Sequence, residues 1–205
     1  MKRPNLEIYC ALMMEIRHRS DAVSKLRKSD RERLPDFVRV ECLVLQVRKI
    51  LELVALGSMA VNESAYKKAY ESFHKHSHAD RIPHDLQRIN PDFYPMPAKQ
   101  ERATAEGVDH HLVISSDADE SFLRKSDFCK VYDKCGGLLH AQNPFGSARD
   151  YGYYEKNVGI WMRKIERLLS THTMRLVNDD NLYLIHMNAS DGNPHGYVLS
   201  PNTGI

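Results

Sequence analysis

The stretch Asp36–Asn62 constrains the fold most, because the helix that it predicts is apolar around most of its circumference. Apolar side chains recur along it at intervals of three and four residues, at Val40, Leu43, Val44, Val47, Ile50, Leu51, Val54 and Ala55. A helix that is hydrophobic nearly all round is stable only when other elements surround it. The sequence therefore predicts a fold that is built around this helix.

Two charged residues interrupt this apolar helix. Arg48 and Glu52 are four residues apart, so they share a helix face and are predicted to form an ion pair. A buried charge is costly unless it is paired and hydrogen-bonded, so the pair also predicts partners on neighbouring helices. Two interpretations stay open, and we favour the first: the pair fixes the register of the helices, or it orients an active group.

The rest of the chain predicts further helices, followed by strands at the C-terminal end. Beyond Thr173 the apolar residues alternate and are separated by turn residues, which predicts a three-stranded antiparallel meander. Upstream, apolar residues follow helical spacing in four other segments: Asn5–Lys28, with Asn5 as N-cap, Glu63–Asn90, Ser126–Asn143 and Tyr151–His172.

The predicted fold class is mainly α, an up-and-down bundle of four or five long helices with a small C-terminal antiparallel β-meander. Residues 1–172 form the bundle, with a proline-containing loop excursion at 91–125, and residues 173–205 form the meander packed on it. The short apolar run Leu112–Ile114 is the one place in the excursion where we expect a strand. We expect a single compact domain, since a sheet this small is not stable alone.

Composition limits the function classes. The chain has 205 residues, 42% hydrophobic residues and a formal net charge of +2, so any attraction to nucleic acid must come from a local patch. The N-terminal residues lack the apolar region of a signal peptide, and no apolar run is long enough to span a membrane. Four scattered cysteines without a CxxC pair suit reduced thiols. We expect a cytoplasmic protein without a membrane partner.

The predicted helix before Pro144 has unusual features. Gly136 and Gly137 are adjacent inside it, and each glycine costs about 1 kcal/mol relative to alanine. A helix that tolerates this cost usually needs a close approach to a neighbouring helix or to a ligand. The small-residue face around Gly57 is the candidate partner. His140 and Asn143 follow near the end of this helix, which we expect at Asn143 because proline disfavours helical geometry in the preceding residue.

Common catalytic and cofactor motifs are missing from the sequence. It contains no P-loop, nucleophile elbow, H-E-x-x-H or zinc-finger spacing, and we expect no cofactor. His74 and His78 share a helix face, with His76 and His84 nearby, and this spacing can hold a metal. A solvated helix end explains the histidines better, so no metal site is assigned.

The segment Tyr132–Ala141, with Lys134 and His140 followed by Asn143-Pro144, resembles the terminal helix of the HEPN superfamily of bacterial and archaeal helical bundles. In that superfamily an arginine, four to six residues and a histidine recur, and Lys134 stands where the family has arginine. The chain also resembles a group of uncharacterised bacterial proteins that share the runs Arg48–Leu53 and Asp92–Pro95.

The HEPN resemblance implies a metal-independent endoribonuclease, or a catalytically weakened relative, of a bacterial defence or toxin–antitoxin system. It implies RNA, a second copy of the chain and an antitoxin or other protein as partners. His140 would be the general acid and base, and Lys134 would hold the scissile phosphate. We group the candidate residues as catalytic, His140, Lys134, Arg48 and Glu52, and as substrate-binding, Asn143 and Arg17.

A second hypothesis involves no catalysis. The chain would then be a dimeric interaction or regulatory protein, and the face that carries Gly136 and Gly137 would form the helix–helix contact between two copies.

Overall fold

A computed structural model describes residues 6–28, 34–62, 87–102 and 110–200 of the chain. In these residues the long helices are α1 (Leu6–Lys28), α2 (Asp36–Val61), α3 (Lys125–Leu139) and α4 (Tyr151–Leu169). Its strands are β1 (Met96–Arg102), β2 (His110–Ile114), β3 (Thr171–Arg175), β4 (Leu182–His186) and β5 (His195–Leu199).

Helix α2 is the centre of the helical layer, as its sequence predicts. It packs against α1, α3 and α4, and Leu43, Val44, Val47, Ile50 and Leu51 are all fully buried. α1 covers it with the buried side chains of Tyr9, Met13, Ile16 and Val23. Hydrophobic burial around most of α2 therefore joins the other helices into one core.

Helix α4 buries a continuous apolar stripe. It starts at the N-cap Asp150, whose carboxylate accepts a hydrogen bond of 2.8 Å from the backbone N–H of Tyr153. Its last residue, Leu169, leads almost directly into β3. The stripe faces the core through Val158, Trp161, Met162, Ile165 and Leu168.

The strands form one antiparallel sheet in the order β2-β1-β3-β4-β5. The meander β3-β4-β5 confirms the predicted C-terminal strands. β2 contains the run Leu112–Ile114, so the strand expected there is confirmed. The sheet is larger than predicted, because β1, which was not predicted, connects β2 to the meander. β1 joins β3 through two residue pairs, Met96–Thr173 and Pro97–His172. The fold is therefore mixed α/β, and the description as mainly α, with a small meander, was wrong in this respect.

A buried histidine connects the sheet to the helices. His172 in β3 is fully buried, and its Nδ1 lies 2.9 Å from the carbonyl oxygen of Leu169, so Nδ1 carries the proton. Its Nε2 then accepts a hydrogen bond of 2.8 Å from the hydroxyl of Tyr9 in α1. Burial lowers the pKa of His172 from 6.5 to about 4, so the ring is neutral at neutral pH.

Several sequence predictions concern residues that the structure does not describe. They include the N-cap Asn5 and most of the helical segment Glu63–Asn90, of which only Gln87–Asn90 is described. Among the described residues, no helix combines the length and the apolar character that crossing a membrane requires. The division into bundle, loop excursion and meander stays a prediction.

Candidate functional site

Arg48 and Glu52 lie at the interface between α2 and α3, and they form the predicted ion pair. Arg48 Nε donates to Glu52 Oε1 at 3.3 Å, and its Nη2 donates to the hydroxyl of Tyr132 in α3 at 2.7 Å. That hydroxyl in turn donates to Glu52 Oε1 at 3.2 Å, which closes a triangle of hydrogen bonds. The side chains of Arg48 and Glu52 are both 23% exposed, so the triangle borders solvent. It locks α3 onto the central helix.

Gly136 explains how the arginine fits there. A Cβ atom at this position would lie 2.6 Å from Arg48 Nη1, far inside van der Waals contact. The guanidinium group also lies over the ring of Tyr132, 4.3 Å from its centroid. The close approach predicted from the glycine is therefore confirmed, and the approaching group is a side chain.

The two other glycines of this prediction behave differently. Gly137 is exposed, and a Cβ atom there would have no neighbour within 4 Å in the described part of the chain. Gly57 lies against the ring of Tyr9 in α1, since a Cβ atom would be 2.9 Å from Tyr9 Cε2. The predicted match between the Gly57 face and the α3 glycines was wrong, because Gly57 makes room for an aromatic ring of another helix.

The hydroxyl of Tyr132 and the thiol of Cys135, both at this interface, stay protonated at neutral pH. Burial, with the nearby carboxylate of Glu52, raises the pKa of Tyr132 to about 12. Burial also raises the pKa of the Cys135 thiol to about 12. A cysteine is a nucleophile only as the thiolate, so Cys135 is a core residue and not a reactive group.

His140 is the residue at which α3 stops. Its backbone is extended, with φ −76° and ψ 155°, and its N–H donates to the carbonyl of Gly136 at 3.2 Å. Its carbonyl accepts a hydrogen bond from Arg149 Nη2. The backbone is therefore held on both sides while the residue is exposed. The helix end predicted at Asn143 was wrong, since α3 ends at Leu139 and the following residues form a turn.

Lys134 lies on the exposed side of α3, toward α4. Its ammonium group donates to the hydroxyl of Tyr153, and Nζ is 4.9 Å from the centroid of that ring. The hydroxyl of Tyr154 donates to the Lys134 carbonyl at 3.2 Å. Six residues along an ideal helix turn the direction by about 120°, so Lys134 and His140 do not share a face. The structure describes no contact between their side chains.

The loop between α3 and α4 is ordered by Asn143. Its Oδ1 accepts a hydrogen bond of 3.0 Å from the N–H of Phe145, and its carbonyl accepts one of 2.9 Å from the N–H of Gly146. The ring of Phe145 is 96% exposed, the highest value among the described large hydrophobic residues. The sequence analysis missed Phe145, although an aromatic residue between Pro144 and Gly146 is a signal for an exposed turn.

Arg149 is a second residue that the sequence analysis missed. Its side chain is 15% exposed, and its Nη1 lies 3.8 Å from Glu41 Oε1 on α2. Through Glu41 and the His140 carbonyl, it ties the end of the loop to both α2 and α3. Nothing in the local sequence distinguishes it from other exposed arginines.

Arg17 lies elsewhere in the fold. Its Nη1 donates to the carbonyl of Gly192 and to Asn188 Oδ1, the latter at 3.3 Å, both in the turn between β4 and β5. Among the described residues, none of its hydrogen bonds connects it to Arg48 or Glu52. The predicted site residues therefore form three groups: the α2–α3 interface, the outer end of α3 and the β4–β5 turn.

Within the described residues, no group of three or more histidine, cysteine, aspartate or glutamate side chains is arranged to hold a metal ion. The histidines His74, His76, His78 and His84 lie outside these residues. Comparisons of the chain with protein-family models, with curated proteins and with solved structures give no match.

Proposed function

We propose that the chain is a HEPN-like protein of a bacterial defence or toxin–antitoxin system that binds RNA at the outer end of α3 and cleaves it without a metal. One observation carries this proposal: His140 is exposed directly after the last turn of an ordered helix, with its backbone N–H and carbonyl both hydrogen-bonded. A solvent-accessible imidazole on a fixed backbone meets the first requirement of a proton-transfer group.

The proposed reaction uses the ribose itself as nucleophile. The neutral imidazole of His140 takes the proton from a 2′-hydroxyl group, and the oxygen attacks the adjacent phosphorus. The bond from phosphorus to the 5′ oxygen breaks, and this oxygen takes up a proton from an imidazolium group, which His140 of a second copy would supply in a homodimer. The products are a 2′,3′-cyclic phosphate and a 5′-hydroxyl group.

Two residues on either side of His140 in the chain support single-stranded RNA as the ligand. Lys134, on the side of α3 that faces α4, adds a positive charge next to the ring of Tyr153, and Phe145 in the loop after α3 presents an almost fully exposed ring. Proteins that bind single strands combine positive charge for the phosphates with aromatic rings on which bases stack. As a lysine, Lys134 attracts a phosphate as a point charge and lacks the planar donor pair of arginine.

The remaining candidate residues have supporting roles in this proposal. Arg48 and Glu52 position α3 through Tyr132, and Asn143 shapes the loop that carries Phe145. Arg17 has no role at this surface, because its hydrogen bonds hold the β4–β5 turn. Because the proposed substrate is RNA, the proposed location of the protein is the cytoplasm.

The test compares the wild-type protein with the variant His140→Ala on mixed RNA in the presence of a chelator. We expect cleavage by the wild type and its loss in the variant, with unchanged helicity by circular dichroism. The matched control is His18→Ala, which removes an exposed histidine of α1 and should cleave like the wild type. Absence of cleavage by the wild type at micromolar concentration would refute the proposal.

A second function is favoured by a separate observation, the open space at Gly137. Among the described residues no atom lies within 4 Å of a Cβ built at Gly137, which allows close approach of a helix from a second copy. The chain would then be a non-enzymatic dimeric interaction or regulatory protein. We expect Gly137→Leu to abolish a dimer that light scattering detects for the wild type, while the melting temperature of the monomer is kept. An unchanged oligomer size would rule this interface out.

A further inference from the structure

A cavity of about 210 Å³ lies on the sheet side of the molecule, away from the contacts of His140. It is bordered by the segment that precedes β1, the end of β2, the first residue of α3, and β3 and β4. The charged side chains at its walls are Asp92, Asp117, Lys125 and Arg175.

The walls of this cavity are fixed by hydrogen bonds of the protein. The buried side chain of Asn90 donates to the Arg175 carbonyl at 3.0 Å and accepts from the N–H of Asp92 at 3.1 Å. The hydroxyl of Tyr94 donates to the carbonyl of Leu123 at 2.8 Å. Two short polar bridges thus attach the segment around Asp92 to β3 and to the approach of α3. The backbone at the walls is therefore ordered before a ligand binds, which lowers the entropic cost of binding.

The charged groups of the cavity differ in whether they have partners within the protein. The ammonium group of Lys125 donates to the carbonyl of Pro91 at 3.0 Å and lies over the ring of Phe93, 4.9 Å from its centroid. Asp92, Asp117 and Arg175 are exposed residues at the open edge of the cavity, and among the residues that the structure describes their charged groups have no hydrogen-bond or ion-pair partner. Besides Lys125, the cavity thus offers two negative groups and one positive group to a ligand.

We propose that this cavity binds a free amino acid with an apolar side chain. The ammonium group of the ligand pairs with Asp92 and Asp117, and its carboxylate pairs with Arg175, whose planar donors match a carboxylate. The side chain of the ligand contacts the apolar part of the wall, formed by Met96, Ile114 and Leu182. The volume of about 210 Å³ lies below the roughly 300–1,000 Å³ of pockets for drug-sized ligands, which agrees with a ligand as small as an amino acid.

This inference is independent of the RNA hypothesis, because it shares no residue with the surface around His140. It also gives a structural context to the run Asp92–Pro95, of which Asp92 and Tyr94 line the cavity.

The first test uses isothermal titration calorimetry with the full chain and three probes, L-leucine, L-methionine and L-valine. At least one of them should bind, and the amide and the N-acetyl derivative of that amino acid should each bind about tenfold more weakly, because each lacks one charge. No binding of all three at about 10 mM would overturn the proposal, and so would equal affinity for both derivatives. This comparison needs no variant.

The second test locates the site. Arg175→Gln and Asp92→Asn should each weaken binding by about tenfold or more, whereas Arg163→Gln on α4 and Asp133→Asn on α3, which change exposed charges outside the cavity, should not. Circular dichroism confirms that each variant is folded. Wild-type affinity in both cavity variants would overturn the assignment of the amino acid to this cavity.

Discussion

At the scale of single residues, the adjacent glycines of α3 have opposite environments. Gly136 is buried beneath the guanidinium of Arg48, which is itself held by Tyr132 and Glu52. Gly137 faces open space. Gly136 therefore makes room for the guanidinium, whereas Gly137 carries the helical cost of a glycine without a compensating contact among the described residues.

This difference predicts opposite effects of alanine at the two positions. Gly137→Ala should raise the free energy of unfolding by about 1 kcal/mol, because alanine favours the helix. Gly136→Ala should lower it by about 1–2 kcal/mol, because the added Cβ displaces the bound guanidinium. Urea unfolding followed by circular dichroism measures both changes.

The control for this pair removes the arginine. In an Arg48→Met background the overlap with Nη1 no longer exists, so Gly136→Ala should lose most of its cost. If the two alanine variants stabilise the wild-type protein equally, the contact between Arg48 and Gly136 does not determine the choice of glycine.

The same residues show which contacts could be predicted from the sequence. Spacing alone predicted the Arg48–Glu52 pair, and the glycines predicted a close approach to α3. The closing partner, Tyr132, was not predicted, since the rotation of one helix against another decides which residues of α3 meet α2. For the same reason Gly57 was assigned to the wrong neighbour: its contact with Tyr9 depends on the packing of α1, which no local pattern contains.

At the scale of elements, the hydrogen bond between Tyr9 and His172 joins α1 to β3 next to the end of α4. The neutral imidazole accepts from the tyrosine hydroxyl and donates to the Leu169 carbonyl, so both nitrogens are used. The other titratable group that acts on His172 is His186 in β4, whose charge would disfavour protonation further. A proton on Nε2 would remove the acceptor for Tyr9 and bury a charge.

Stability should therefore fall in a defined pH range. The folded protein has a His172 pKa of about 4 and the unfolded chain one of about 6.5, so the unfolded chain binds more protons between these values. Relative to pH above 6.5, the free energy of unfolding should decrease as the pH falls toward 4, by roughly 3 kcal/mol. Urea unfolding at a series of pH values measures this.

Two histidine variants separate His172 from other groups. His172→Gln keeps an amide that can donate and accept but does not titrate, so the loss between pH 6.5 and 4 should shrink. His18→Gln changes an exposed histidine of α1 and should keep the wild-type pH dependence. A wild-type profile in His172→Gln would contradict the role of His172.

The elements themselves were predicted to different degrees. α2 and α4 follow from apolar periodicity, because each buries one clear set of side chains. The meander follows from strand-like runs separated by turn residues, although β5 is mostly exposed. β1 was missed because its sequence Met-Pro-Ala-Lys-Gln-Glu-Arg is mostly polar, and its place beside β3 comes from only two residue pairs. The end of α3 was misplaced because Pro144 sets only the last position at which the helix could end. The helix ends earlier, at Leu139, where the backbone of His140 turns extended and is held by hydrogen bonds.

At the scale of the whole molecule, the predicted site residues belong to different surfaces. The α2–α3 interface holds Arg48 and Glu52, the β4–β5 turn holds Arg17, and the outer end of α3 carries His140, after which the loop presents the exposed ring of Phe145. The sequence could suggest each residue type but could not assign the residues to surfaces, since that depends on how distant segments pack. The account places any RNA chemistry at the outer end of α3 alone.

The most direct measurement is cleavage of an oligodeoxynucleotide that contains a single ribonucleotide, with excess chelator present. The account predicts one cut, directly 3′ to that ribose, with 2′,3′-cyclic phosphate and 5′-hydroxyl ends identified by mass spectrometry, and no cut by His140→Ala. Cleavage at deoxynucleotides, 5′-phosphate ends, or full activity of His140→Ala would contradict it.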